Sequence, residues 1–80
     1  MSMHFSNDFV LSLCVAECYE RSLVVTEVPF WFTCIKDMWV VSGTDIDIID
    51  YIGTCEVGIL YLSKPIKIAP GKKINITYKH

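Results

Sequence analysis

The sequence predicts an all-β chain: a small antiparallel β-sandwich or partly open barrel of about seven short strands. Three observations predict it. Apolar residues recur at every second position in several segments. Those segments are rich in β-branched and aromatic residues and end at Gly, Pro, Asp or Ser. No segment longer than about two turns carries a clear helical period.

Residues 1–8 read as a polar lead-in, and residues 9–80 as a single β domain. From Phe9 the pattern alternates. Phe9, Leu11, Leu13 and Val15 fall on one face, with Val10, Ser12, Cys14 and Ala16 on the other. Residues 14–21 could instead form a short helical turn. Residues 23–28 carry Val24, Val25, Thr26 and Val28, whose branched side chains suit a pleated surface. Pro29 lacks an N–H and ends that strand. Residues 30–35 follow as a strand with two largely apolar faces, as for a strand covered on both sides or lying at an interface.

Lys36 and Asp37 break the pattern, residues 38–41 form a short strand, and Ser42, Gly43, Thr44 and Asp45 form a turn. Ile46, Ile48 and Tyr51 then interleave with Asp45, Asp47 and Asp50. Gly53 and Gly58 flank a loop around Cys55, and residues 59–62 are another strand. A last hairpin is expected between Ile66 with Ile68 and Ile74 with Ile76. Its turn, Ala69-Pro70-Gly71-Lys72, has Pro to preset φ and Gly to accept a positive φ, the type II pattern.

With 80 residues and 52% hydrophobic side chains, the chain has more apolar surface than a lone domain of this size easily hides. Part of that surface is expected to meet a partner. The net charge is −2, and no dense basic face of the kind nucleic-acid binding requires is present. Lys64, Lys67, Lys72, Lys73 and Lys79 gather late in the sequence, as a solvated hairpin edge or as a docking patch for an acidic partner. No basic region followed by an apolar run opens the chain. The most apolar stretch, residues 23–41, is interrupted by Glu27, Pro29, Lys36 and Asp37, so no membrane span is expected.

Catalytic and metal chemistry find little support. His4 and His80 sit at the two ends of the sequence, which leaves no histidine for a triad in the body of the chain. Cys14, Cys18, Cys34 and Cys55 read as reduced, mainly buried thiols. Only Cys14 and Cys18 are close in sequence, whereas zinc sites usually bring ligands in tight pairs. Asp45, Asp47 and Asp50 lack the spacing of a calcium loop and read as a solvent face. The glycines are dispersed, with no phosphate-cradling loop, and Asn75-Ile76-Thr77 matters as a glycosylation pattern only in a secreted chain. No catalytic, metal or cofactor residue is assigned.

The expectation is therefore a non-enzymatic protein-interaction domain. Its foremost form is a virion structural protein of a phage that docks by strand-edge and apolar contacts, as a homo-oligomer or part of a larger assembly. The alternative is a small phage or viral inhibitor that binds and blocks one host protein, with the setting the virion or the host cytoplasm. Protein is the expected partner, with no nucleic acid and no membrane. The candidate interface residues are Phe30, Trp31, Phe32, Trp39, Lys64 and Lys67. Because Phe30, Trp31 and Phe32 are consecutive, they cannot all face one way along a strand, and Trp31 is the leading candidate for the outward one.

Overall fold

The computed structural model describes residues 10–32, 39–54 and 56–78. Outside these lie the lead-in, Phe9, Cys34, Cys55, Lys36, Asp37, Lys79, both histidines and the second half of the strand expected at 30–35. Among the described residues six strands form: β1 (Val10–Tyr19), β2 (Ser22–Thr26), β3 (Trp39–Val41), β4 (Ile48–Gly53), β5 (Val57–Leu62) and β6 (Lys73–Tyr78). They join one antiparallel sheet in the order β3-β6-β1-β2-β5-β4. Its two ends meet where Val40 bridges Asp47 and the Val41 N–H donates to the Ile46 carbonyl at 2.8 Å. The sheet thus curls into a nearly closed barrel, the second of the two expected architectures. Curling hides the apolar face of every strand and removes most exposed edge.

Side-chain alternation sets what points inward. Leu13 and Val15 of β1, Leu23 and Val25 of β2, and Leu60 and Leu62 of β5 are buried. So are Trp39 and Val41 of β3 and Ile74 and Ile76 of β6. Two bulges reset this alternation. The β1–β2 register shifts between Val15 and Glu17, so the extra residue, Ala16, changes the inward parity, and Cys18 packs on the core opposite Leu23. A second shift between Ile48 and Asp50 turns Ile48 and Tyr51 inward and leaves Ile49 outside. The helical turn considered for residues 14–21 does not form, because β1 continues to Tyr19.

Around the barrel, β2 and β3 lie on opposite sides, so the chain linking them must cross one end. That crossing carries a correction. Residues 30–32 are not a strand: the Phe32 N–H donates to the Pro29 carbonyl at 3.1 Å, and the three aromatics lie in a turn. Val28 and Phe32 drop from this crossing into the core. Phe32 meets Trp39 at 5.7 Å and stands edge-on to Tyr51 at 5.4 Å, while Trp39 stands edge-on to Tyr78 at 5.7 Å.

The opposite end is crossed by residues 63–72. Its turn is as expected, with Gly71 at φ +88° and the Lys72 N–H donating to the Ala69 carbonyl at 3.1 Å. The hairpin itself is a second correction. Residues 65–69 do not pair with β6, whose neighbours are β1 and β3. Instead the crossing is tied to the far half of β1 and its turn. Ile66 N–H donates to Glu20 O at 2.9 Å, Gly71 N–H to Val15 O at 2.8 Å, and Cys18 Sγ to Ile66 O at 3.2 Å. Ile66 and Ile68 still pack on the core.

Candidate docking face

The expected interface residues do not form one surface. Phe32 and Trp39 are fully buried, so as free contact residues they are corrected to core. Trp31 is half-buried and stacks on Trp39 with ring centroids 6.1 Å apart. Phe30 is the outward aromatic of the trio, at 80% exposure. Lys64 and Lys67 lie on the 63–72 crossing. Lys64 is bonded to Asp45, joining that crossing to the β3–β4 turn, and its ammonium holds the Asp45 carboxyl below its ordinary pKa. Lys67 borders a surface cavity of about 500 Å³ with Cys18, Glu20, Pro65, Ile66 and Ile68.

The acidic run behaves partly as expected. Asp45 is exposed, but Asp47 is half-buried and shares two hydrogen bonds with Ser63, through Ser63 Oγ at 2.9 Å and the Ser63 N–H at 3.0 Å. Cys14 and Cys18 are free thiols, each half-buried. Among the described residues no three His, Cys, Asp or Glu side chains gather as metal ligands, and no helix is long and apolar enough to cross a membrane.

A different surface is continuous. On the outside of β2, β5 and β4, Val24 pairs with Ile59 and Ile59 pairs with Ile52, so three apolar side chains line up across three strands. Val24 and Ile59 are half-buried and Ile52 is 59% exposed. Tyr61 and Val57 flank Ile59 along β5, and the first bulge residue of β4, Ile49, stands out beside Tyr61 at the rim of a shallow groove of about 250 Å³. Arg21, Ser22, Leu62 and Ser63 complete that groove. The opposite wall of the barrel is more polar around Asn75, although Val10 at its edge is 47% exposed. Ser12 Oγ donates to Asn75 Oδ1 at 2.6 Å there, and Lys73 and Asn75 are exposed.

This face escaped the reading from sequence, although a signal existed. Residues 57–62 are apolar at both parities: Gly58, Leu60 and Leu62 turn in, and Val57, Ile59 and Tyr61 turn out. An antiparallel strand with two apolar sides calls for cover on both. Residues 30–35 drew that inference instead, because their aromatics are larger.

The chain matches no protein-family model, no curated protein and no solved structure at a significant level.

Proposed function

We propose that this chain is a non-enzymatic protein-interaction domain that docks through the outer face of β2, β5 and β4. The observation that carries this reading is the unbroken row Val24, Ile59 and Ile52, extended by Ile49, Val57 and Tyr61 on a wall whose interior side is already packed. Scattered surface apolars need no explanation, but a contiguous patch on so small a barrel is a site where excluding water from both partners drives association. Placement in a phage particle, and the alternative of an inhibitor that blocks one host protein, rest on the size and composition of the chain. The docking face serves either role.

The test is photo-cross-linking in the native setting, with benzoyl-phenylalanine installed in place of Ile52 or, as a control, in place of Asn75 on the polar wall. Protein adducts from position 52 and none from position 75 support the reading. Adducts from position 75 alone, or none from either site, overturn it.

A further inference from the structure

Resting on that docking reading, we propose that the groove beside the apolar row is a carboxylate site. It takes the Asp or Glu side chain of an extended partner segment whose aliphatic neighbour, two residues along, lies on the row. The strand register builds this site. Ser22 pairs with Tyr61 one outward rung beyond the Val24–Ile59 pair, so both side chains share the outer face with the row. The Leu62 N–H donates to the Arg21 carbonyl at 2.8 Å and sets Arg21 beside the end of β5. Ser63 is held to the start of β4 by its two hydrogen bonds with Asp47. Arg21, Ser22, Tyr61 and Ser63 thereby line one groove of about 250 Å³, with Ile49 and Leu62 as its apolar sides.

The donors in this groove are uncommitted. Among the described residues the Arg21 guanidinium makes no ion pair, and neither the Ser22 nor the Tyr61 hydroxyl has a hydrogen-bond partner. Ser63 Oγ accepts the Asp47 N–H, which leaves its own O–H to donate. No acidic side chain is part of the lining. The nearest carboxylates along the chain are engaged elsewhere. Asp50, the register partner of Tyr61, accepts the Tyr51 N–H at 2.8 Å, Asp45 is bonded to Lys64, and Glu20 lines the other cavity with Cys18 and Ile66.

The charge of the lining selects the ligand. A single guanidinium with hydroxyl donors around it matches a single negative charge, and its planar fork suits a carboxylate. A phosphate dianion calls for a second cation or a nest of backbone N–H groups, and the lining supplies no second cation. The apolar row then fixes what lies next to the acid. Side chains two residues apart on an extended chain are spaced about 6.6 Å apart, the same step that separates the Ser22–Tyr61 rung from the Val24–Ile59 rung. An extended segment with Asp or Glu at one position and Val, Ile or Leu two positions on meets both features at once.

The experiment is amide NMR of the full chain titrated with isocaproate, a carboxylate on a short branched aliphatic chain, and with its neutral analogue isocaproamide. Saturable shifts at Arg21, Ser22, Tyr61 and Ser63 are expected at millimolar isocaproate, with isocaproamide weaker by about fivefold or more. Arg21→Gln should abolish that preference, and Lys73→Gln on the polar wall should leave it intact, with melting curves to verify folding. In the native setting, Arg21→Gln should also lower the adduct yield from position 52 severalfold. The proposal is overturned by the lack of a saturable shift in the groove or by equal binding of the two probes. A preference that survives Arg21→Gln, or an adduct yield indifferent to it, overturns it as well. Adducts from position 52 that persist in any of those cases leave the docking reading standing, whereas their absence from the parent chain removes that reading too.

Discussion

Replacing Gly58 by alanine should strongly destabilise this domain. Gly58 sits on β5 facing the interior, and the Tyr51 ring lies across it. A Cβ at position 58 would stand 2.2 Å from Tyr51 Oη and 2.3 Å from Cζ, far inside van der Waals contact. The ring has no room to retreat. Tyr51 is 3% exposed, Phe32 stands edge-on to it at 5.4 Å, and its hydroxyl donates to the Thr54 carbonyl at 2.6 Å. Displacing it adds an overpacking cost of about 1–3 kcal/mol to the loss of a hydrogen bond of about 1 kcal/mol. The sum, about 2–4 kcal/mol, is a large share of the roughly 4–12 kcal/mol that a domain of this length commands. The melting temperature should fall by roughly 10–25 °C. Urea unfolding followed by tryptophan fluorescence measures the effect, since Trp39 contacts Phe32. In a Tyr51→Leu background the same glycine change should cost under about 1 kcal/mol, because the clashing ring is gone. The reasoning fails if Gly58→Ala lies within about 0.5 kcal/mol of the parent, or costs the same in both backgrounds.

Other changes separate the remaining contributions. Gly71 has φ +88° and nothing within 4 Å of an added Cβ, so Gly71→Ala should cost about 1 kcal/mol through backbone strain alone, read by the same urea curves. Along the aromatic crossing, alanine at Phe30 should change stability by under about 0.5 kcal/mol, at Trp31 by about 1–2, and at Trp39 by about 3–5, following their increasing burial. The Asp45 carboxyl, lowered by Lys64, should titrate higher in Lys64→Ala when followed by NMR. Since the folded value is depressed, any stability the pair adds is present above the unfolded pKa and fades as pH falls through the folded one. On so exposed a pair, added salt should erase much of the shift. Tyr19, raised by the Glu17 carboxylate beside it, should titrate lower in Glu17→Gln.

Much of the barrel was legible because side-chain parity is written directly in a strand. Leu11, Leu13 and Val15 announce the inner face of β1, and Ile74 and Ile76 that of β6. What parity cannot carry is the partner. Ile66 and Ile68 alternate as a strand does and do face the core, yet the Ile66 backbone is held by Glu20 of the β1–β2 turn. Nor does parity disclose a bulge: Ala16 and Ile49 look like ordinary strand residues, and only the pairing of their neighbours shows that one residue is surplus. Phe30, Trp31 and Phe32 misled for another reason. Burial at a barrel end requires bulk rather than alternation, and a turn after Pro29 supplies it. The candidate face stayed hidden because moderate aliphatics on three separate segments become a patch only once β2, β5 and β4 are known to be neighbours.

The position of β6 between β1 and β3 governs how the molecule can be made. The hairpins β1–β2 and β4–β5 pair over short separations, but Ser12 finds Asn75 only across 63 positions. Local pieces should assemble quickly, and the shutting of the ring should be the slow, rate-limiting event. A nascent chain that has emerged only as far as Leu62 has no stave to set between β1 and β3, and it presents two open seams and an uncovered interior to solvent. The interval before residues 73–78 emerge is thus when this polypeptide most needs dilution or a chaperone.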